Sequence, residues 1–209
     1  MAAHLRFLSR AAAATVLSLL AEGVLAENPC ATAKSSAVLV GKSEPGEPLR
    51  VKGVIYRSDG RTPAAGVILY VYQTDITGRY APGSGEPPRI HGWMKTDEKG
   101  RYEFTTIRPA PYPNRTEPAH IHTQIWGPGV ETHSNVVLLF AGDPLIKPRE
   151  QKESDALGRF AFIQEPVKGA DGVLEVTLDM RVQDKGDVFE ENIMHGVRPC
   201  GVTPPTRPS

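Results

Sequence analysis

The amino-acid sequence predicts an all-β fold, an antiparallel β-sandwich with long loops. Several short segments either alternate apolar and polar residues or are rich in β-branched and aromatic residues, as strands of half-buried and buried sheets are. The 20 glycines and 19 prolines supply the many turns that a sandwich of short strands needs. Beyond the N-terminal segment, the sequence shows no stretch with the apolar periodicity of an amphipathic helix.

The predicted strands follow one another along the chain with turn residues between them. Residues 49–56 alternate in polarity, and residues 66–72 are β-branched or aromatic at most positions, which is typical of a buried strand. Three alternate prolines at positions 109–113 exclude sheet pairing there, because proline has no N–H to donate. Residues 142–158 are charged and fit either a helix or a long loop. Further strands are predicted at residues 91–95, 102–107, 119–126, 134–140, 160–163 and 173–180.

The N-terminal segment, residues 1–26, is predicted to be a secretory signal peptide outside the fold. Arg6 and Arg10 form a positively charged start, residues 11–21 are almost uniformly apolar, and small residues precede a cleavage point near Glu27. The apolar run is shorter than the ~20 residues that a membrane-spanning helix needs. The mature chain is therefore expected to be exported, periplasmic or secreted, without a membrane span.

The rest of the chain divides into three predicted parts. Residues 27–48 form an extended lead-in, residues 49–182 the β-sandwich domain, and residues 183–209 a C-terminal extension. Cys30 and Cys200 lie in the two outer parts, and an even number of cysteines in an exported chain favours a disulfide between them. Basic and acidic residues balance at 24 each, so the composition gives no sign of a nucleic-acid partner.

Two histidines separated by one residue form the sharpest local feature of the sequence. His120 and His122 fall on a predicted strand, where residues i and i+2 point to the same face, so their imidazoles are expected side by side. Such a pair fits a transition-metal site and a polar strand face equally well. Upstream, Tyr112 lies between two prolines that restrict its backbone, and Tyr80 follows a turn after a buried strand. Taken singly, either tyrosine also fits ordinary packing with a surface hydroxyl.

Three ordered motifs connect these four residues to a known family. The sequence contains Gly78-Arg-Tyr80, then Pro111-Tyr-Pro113, then Pro118-Ala-His-Ile-His122. With these motifs the chain resembles the intradiol ring-cleavage dioxygenases, and most of all their protocatechuate 3,4-dioxygenase branch. The resemblance runs from about residue 49 to about residue 144.

The resemblance implies a β-sandwich that holds one Fe(III) ion and cleaves a small aromatic diol between its two hydroxyls with O2. Tyr80 would be a permanent tyrosinate ligand, and His120 and His122 the neutral ligands. Tyr112 would be a tyrosinate that leaves the metal when substrate binds and then serves as a base. A free tyrosine has a pKa of about 10, so a phenolate at neutral pH needs a Lewis acid as strong as ferric iron. A homo-oligomer is compatible with this resemblance.

One position departs from the family pattern. The family commonly has an arginine three residues before the first ligand histidine, and here that position is Glu117. The missing guanidinium would stabilise negative charge that develops on the ring. Arg115 is close in sequence and is predicted to replace it, with Arg79 and Arg108 as further candidates, while each of the three also fits a solvated surface arginine.

Three alternatives remain for the function. A non-catalytic β-sandwich binding module would fit the strand pattern but gives no joint role to the two tyrosines and two histidines. A cupin-type metalloenzyme also uses two histidines at this spacing, but it needs a glutamate soon after them, and here the next acidic residue is Glu131, beyond a Gly-Pro-Gly turn. A relative that binds iron with little turnover is the third, and Glu117 favours it.

Overall fold

The computed structural model describes residues 32–83, 86–127 and 130–182, with residues 131–135 described by their backbone alone. The predicted signal peptide and the predicted Cys30–Cys200 disulfide lie outside these ranges. The described chain forms two β-sheets and a helix. The elements are β1 (Ser36–Val38), β2 (Pro48–Tyr56), β3 (Ile68–Gln73), β4 (Ile90–Lys95), β5 (Arg101–Ile107), β6 (His120–Gly127), β7 (Val130–Phe140), α1 (Pro148–Ala156), β8 (Ile163–Gln164), β9 (Val167–Lys168), β10 (Leu174–Thr177) and β11 (Met180–Arg181).

The first sheet joins strands that are distant in the sequence. Its strand order is β1-β5-β2-β10-β9, and β11 also pairs with β2. β2 and β5 are antiparallel, with Pro48 opposite Ile107 and Val54 opposite Arg101. β1 pairs in parallel with β5, and β10 and β11 pair in parallel with β2. The strand β1 lies within the lead-in at residues 27–48, where the sequence predicted no strand.

The second sheet carries His120 and His122, the two histidines of the predicted metal site. Its order is β4-β3-β6-β7-β8, and all its pairings are antiparallel except that of β7 with β8. Within it, Tyr72 of β3 lies opposite His122 of β6 on one side and His91 of β4 on the other. The predicted all-β class is thus confirmed at the level of two sheets and one helix, and the strand pairing is mixed.

One buried apolar cluster joins the two sheets. Leu49 and Val51 of the first sheet belong to it together with Leu69, Ile121 and Leu138 of the second. Because side chains alternate along a strand, the residues between these point to the opposite face of the second sheet. There a smaller cluster is formed by Ile68, Tyr70, Tyr72 and Trp126, with Tyr80 and Trp93 packed against it.

The strand predicted at residues 160–163 is wrong in extent. A 3-10 turn occupies Gly158–Phe160, and only Ile163 of the predicted segment belongs to β8. The guanidinium of Arg159 lies 4.2 Å from the ring centre of Tyr56 and 4.6 Å from that of Phe160. Phe160 is therefore held outside any strand by this cation–π contact and by the Tyr56 ring, 5.8 Å away between ring centres, and the sequence pattern does not reveal either contact.

The strand predicted at residues 173–180 is divided into β10 and β11. Between them the Leu178 N–H donates to the carbonyl of Lys52 at 2.8 Å, and the Asp179 carboxylate accepts the N–H of Val54 at 3.0 Å. A side chain therefore replaces one rung of the backbone ladder. Gly53 permits this close approach, because a Cβ at that position would lie 2.0 Å from the Leu178 carbonyl oxygen.

Residues 142–158, which the sequence pattern assigned to either a helix or a long loop, contain the helix α1. Pro148 occupies the first turn, and the Glu150 carboxylate accepts the N–H of Lys147 at 2.8 Å, as in a capping box. Ser154 is the buried residue of this otherwise polar helix, so its sequence lacks an apolar stripe. Within the described ranges, no helix has the length and apolar character that crossing a membrane would require.

Candidate metal centre

The two histidines project from the start of β6. His120 and His122 are two residues apart on this strand and share the face of the second sheet that is opposite the main core. The ring of Tyr72, directly across from His122, stacks on its imidazole with 4.5 Å between ring centres and 13° between ring planes. The strand therefore places both imidazoles on this face, and the stacking fixes the direction of the His122 ring.

Tyr80 reaches the site from a turn that follows β3. One carboxylate oxygen of Asp75 accepts the Thr77 N–H at 2.8 Å, the Thr77 hydroxyl at 2.6 Å and the Arg79 N–H at 3.3 Å. Burial raises the pKa of Asp75, but the hydrogen bonds from Thr77 and Arg79 outweigh it, so the pKa is lowered and the carboxylate stays charged. The Asx turn thus holds the backbone that leads into Tyr80.

Tyr112 lies in a proline-rich loop that is anchored to the end of β3. The Gln73 side-chain amide donates to the carbonyl of Ile107 at 2.8 Å, and the Thr74 hydroxyl donates to the carbonyl of Ala110 at 2.8 Å. The Ala110 N–H in turn donates to the carbonyl of Asp75 at 3.1 Å. Because proline leaves this loop short of its own donors, side chains and backbone of the neighbouring segment hold it.

Gly78 lets the two tyrosine segments approach each other. Its φ is +76°, and a Cβ there would lie 2.2 Å from the carbonyl oxygen of Pro111. Both the left-handed backbone and the close contact favour glycine. The Gly78-Arg-Tyr80 motif and the Pro111-Tyr-Pro113 motif therefore depend on each other in space.

The four predicted ligands meet at one point. The hydroxyl oxygens of Tyr80 and Tyr112 lie 2.7 Å apart. Nε2 of His120 lies 3.2 Å from each of these oxygens, and Nε2 of His122 lies 3.0 Å from the Tyr80 oxygen. The structure thus brings together all four residues that the sequence motifs predicted.

The imidazole of His120 is held in one tautomer. Its Nδ1–H donates to the carbonyl of Pro118 at 2.7 Å, and the residue is only 7% exposed. Because the proton is at Nδ1, the lone pair of Nε2 faces the two tyrosine hydroxyls. This is the arrangement that metal-bound histidines usually have, with the second nitrogen hydrogen-bonded to a carbonyl or carboxylate.

Burial keeps Tyr80 and its neighbour Tyr72 neutral unless a cation compensates them. Burial, followed by the hydrogen bond with Tyr112, raises the pKa of the Tyr80 phenol well above its usual value. Burial likewise raises the pKa of Tyr72 to about 12. A phenolate at Tyr80 therefore requires a strong Lewis acid in direct contact with its oxygen.

The donor set fits such a metal. Ligands of one ion at about 2.0–2.2 Å lie roughly 3 Å apart when they are near right angles, close to the observed separations of 2.7–3.2 Å. Among the described residues, no group of three or more histidine, cysteine, aspartate or glutamate side chains could hold a metal ion. A metal at this site would therefore depend on the two tyrosines, a ligand type that favours a hard, highly charged cation.

The guanidinium of the predicted arginine, Arg115, does not join the four ligand side chains. The Arg115 backbone has a φ of +53°, and its N–H donates to the carbonyl of Tyr112 at 2.8 Å. The residue is exposed, and within the described ranges its guanidinium has no hydrogen bond or ion pair with the ligands. Arg79 is exposed as well, and the guanidinium of Arg108 packs 5.3 Å from the ring centre of Phe140.

Glu117 has a counter-charge next to it. Its carboxylate lies 3.6 Å from the Lys147 ammonium, and both side chains are about half exposed. An exposed pair of this kind contributes little to stability but compensates the negative charge. The position where the family commonly has an arginine therefore carries a carboxylate whose charge is compensated by Lys147.

Comparison with known proteins identifies the family. A family model described as Dioxygenase matches residues 24–184. The chain belongs to the intradiol dioxygenase family. It is 32% identical over 116 residues to the protocatechuate 3,4-dioxygenase beta chain of Burkholderia cepacia, covering 48% of this chain and 49% of the relative. It is 31% identical over 160 residues to the 6-chlorohydroxyquinol 1,2-dioxygenase of Cupriavidus pinatubonensis, covering 67% and 55%. The chain thus spans about half the length of the curated relatives it matches.

Solved structures agree at the level of the fold. The dioxygenase domain of a dioxygenase carbohydrate-binding protein fusion from Streptomyces sp. SirexAA-E is 30% identical, with a TM-score of 0.55 over 72% of this chain and 88% of that one. Catechol 1,2-dioxygenase from Acinetobacter sp. ADP1 is 22% identical with a TM-score of 0.55, covering 72% of this chain and 57% of that one. The β-rich core of this family member is therefore shared with the folds of these two proteins.

Proposed function

We propose that this protein is a non-haem Fe(III) dioxygenase that cleaves a catechol-type ring between its two hydroxyls and incorporates both atoms of O2. The observation that carries the proposal is the convergence of two phenol oxygens and two imidazole nitrogens within 2.7–3.2 Å of one another. Membership of the intradiol dioxygenase family supports the reaction class. A surface-binding module gives no reason for these four side chains to meet.

Charge balance supports ferric iron as the metal. Tyr80, Tyr112, His120 and His122 would hold the ion, and two tyrosinates with one hydroxide would cancel its three positive charges. A diol that binds as a dianion in place of Tyr112 and the hydroxide leaves this sum unchanged, which keeps the exchange inexpensive at a buried site. When bound, Fe(III) supplies the Lewis acidity that activates the diol for attack on O2.

The four ligand side chains have different roles in the proposed reaction. His120 and His122 supply neutral nitrogens on a rigid strand, and Tyr80 stays in place because the Asx turn of Asp75 holds its backbone. Tyr112 lies on a loop, so its ring can move without disturbing the sheet. Once released, its phenolate oxygen would take a proton from a substrate hydroxyl and act as a general base.

The nature of the diol belongs to the proposal as well. Glu117 and Lys147 compensate each other, and no buried cation stands beside the four ligands among the described residues. A small diol without a ring carboxylate therefore suits the site better than an anionic one. We also propose that the mature chain is exported, which rests on the sequence of residues 1–26 alone.

The first test is a visible spectrum of the purified protein after ferric reconstitution. A tyrosinate-to-iron charge-transfer band that moves to longer wavelength when catechol is added under nitrogen would support an exchangeable ferric site. Oxygen uptake and a ring-opened dicarboxylate would then establish turnover, and the band without turnover would indicate an iron-binding relative. A protein that stays colourless would contradict the proposal and favour the binding module.

A further inference from the structure

The peptide group between Pro118 and Ala119 lies between a carboxylate and a histidine. Its carbonyl oxygen accepts the Nδ1–H of His120 at 2.7 Å. Its N–H donates to a carboxylate oxygen of Asp143 at 2.9 Å. Because the six atoms of a peptide group are coplanar and rigid, the two hydrogen bonds act on a single body.

Asp143 is itself firmly placed. Its second carboxylate oxygen accepts the N–H of Leu145 at 2.9 Å, and its backbone N–H donates to the carbonyl of Phe140 at 3.2 Å. Phe140 is the last residue of β7, and β7 pairs with β6 so that Leu139 lies opposite His120. The carboxylate therefore reaches the peptide from the strand next to the one that carries the histidines.

We propose that Asp143 is a positioning residue that acts on His120 through this peptide group. A charged acceptor on the N–H polarises the amide and makes its carbonyl a stronger acceptor, because linked hydrogen bonds reinforce one another. The stronger acceptor keeps the His120 proton at Nδ1 and its Nε2 lone pair directed at the tyrosine oxygens. Metal-bound histidines commonly have such a carboxylate in direct contact, and here a peptide stands between the two.

His91 provides an internal comparison. Its Nδ1–H also donates to a proline carbonyl, that of Pro88, at 2.6 Å. The N–H of the same peptide, that of Arg89, donates to the neutral carbonyl of Tyr80 at 2.7 Å. Each of the two histidines thus donates its Nδ1–H to the carbonyl of a nearby proline. The peptide that accepts from His120 donates its N–H to a carboxylate, whereas the peptide that accepts from His91 donates its N–H to a neutral carbonyl.

The first test needs no metal. In Asp143→Asn one of the two acceptor oxygens becomes an amide donor, so either the Ala119 or the Leu145 N–H loses its partner. Nitrogen NMR of labelled histidines in the metal-free protein reports the tautomer of each ring, and the His120 signal is the one missing from His120→Ala. We expect the His120 ring to shift toward a mixture of tautomers while His91 stays unchanged.

The proposal is contradicted if His120 keeps its tautomer in Asp143→Asn, since Asp143 would then only cap its own turn. Asp59→Asn is the matched control, because Asp59 also accepts two backbone N–H groups, those of Arg61 and Thr62, at a turn of the other sheet. Both of these N–H groups reach one oxygen of Asp59, so the asparagine can keep them and the variant removes the charge of a turn carboxylate. It should leave both histidines unaffected.

The second test measures ferric binding and rests on the proposed function. Competition with a chelator should show Asp143→Asn binding Fe(III) about tenfold more weakly than the native protein, at the lower end of the effect of such supporting residues. Asp59→Asn should bind as the native protein does. Equal affinity in Asp143→Asn would overturn the inference, whereas a native protein that binds no ferric ion would overturn the proposed function and leave the tautomer test to decide the role of Asp143.

Discussion

At the scale of single residues, Tyr80 is the centre of the site. Its hydroxyl oxygen contacts the Tyr112 oxygen and the Nε2 atoms of His120 and His122, at 2.7, 3.2 and 3.0 Å. Burial and the hydrogen bond with Tyr112 raise its pKa, so the phenol keeps its proton unless a metal displaces it. The colour of a ferric complex would therefore report on Tyr80 directly.

We expect Tyr80→Phe to lose most of the visible charge-transfer band after ferric reconstitution, since the substitution removes the oxygen and keeps the ring. Tyr72→Phe is the matched control, because Tyr72 packs 5.7 Å from the Tyr80 ring and stacks on His122 without being among the four donors. Absorption spectra at equal iron content check this. An unchanged band in Tyr80→Phe, or its loss in Tyr72→Phe, would refute the assignment.

The role of Arg115 stays a prediction. If its guanidinium replaces the family arginine, Arg115→Ala should lower kcat/KM for the diol by about tenfold, less than the 10²–10³ that a buried donor contributes, because the side chain is exposed. Arg149→Ala is the control, since Arg149 is a strongly exposed arginine on α1 that pairs with Glu153. Equal rates for the two variants and the native protein would remove Arg115 from the mechanism.

The sequence predicted single residues well where a motif carried them. Tyr80, Tyr112, His120 and His122 stand in three short motifs, and the structure brings them together. Tyr72 was missed as a neighbour of His122, because their contact depends on the register between two strands 50 positions apart. Asp143 was missed for the same reason, since its contact with the Ala119 N–H depends on the turn after β7.

At the scale of elements, the site depends on two loops that cross at Gly78. We expect Gly78→Ala to separate the Tyr80 turn from the Pro111 carbonyl and to weaken Fe(III) binding, because the new Cβ would lie 2.2 Å from that oxygen. The positive φ adds a cost of about 1 kcal/mol or more. Chelator competition and urea unfolding measure the two effects.

Gly172→Ala separates the clash from the backbone effect. Gly172 has a φ of +82°, and nothing lies within 4 Å of a Cβ placed there. It should lose a similar amount of stability from its backbone and keep native ferric affinity. Equal iron binding by Gly78→Ala and Gly172→Ala would show that the contact between the two loops does not shape the site.

The elements that the sequence predicted are those with local patterns. Residues 49–56 and 102–107 alternate in polarity and form β2 and β5 close to their predicted bounds. The short parallel strands β1, β8, β10 and β11 were missed or misjudged, because a parallel partner is brought in by tertiary structure and leaves no turn signal next to the strand. The polar helix α1 was left open because its apolar face is almost absent.

At the scale of the whole molecule, strand β3 of the second sheet is buried on both faces. All six residues of β3 are buried, with Leu69 and Val71 in the core between the sheets and Tyr70 and Tyr72 in the aromatic cluster on the other face. Strands buried on two sides carry continuous apolar sequence, which is how residues 66–72 were recognised. The histidines of the candidate metal centre thus lie on β6, which pairs with a strand that is packed on both sides.

Several tyrosines are buried in the two sheets, and their burial makes the free energy of unfolding depend on pH in the alkaline range. Tyr102 belongs to the core, and its hydroxyl donates to the Leu178 carbonyl at 2.6 Å. Burial raises the pKa of Tyr102 well above its usual value, and burial also raises the pKa of Tyr70 and brings that of Tyr72 to about 12. In the unfolded chain each of these phenols ionises near a pKa of about 10.

The free energy of unfolding of the metal-free protein should therefore be insensitive to these tyrosines below about pH 10 and fall above it, because the unfolded chain then releases protons that the folded protein retains. Each buried tyrosine adds about 1.4 kcal/mol per pH unit to the decline until the pH reaches its folded pKa. Urea unfolding at steps from about pH 8 to about pH 11.5 measures the slope.

Tyr102→Phe should lower the stability at pH 8 through loss of its hydrogen bond and make the alkaline decline shallower by about 1.4 kcal/mol per pH unit. A slope identical to that of the native protein would mean that Tyr102 ionises in the folded state as it does in the unfolded chain, and that the core between the two sheets admits the charge.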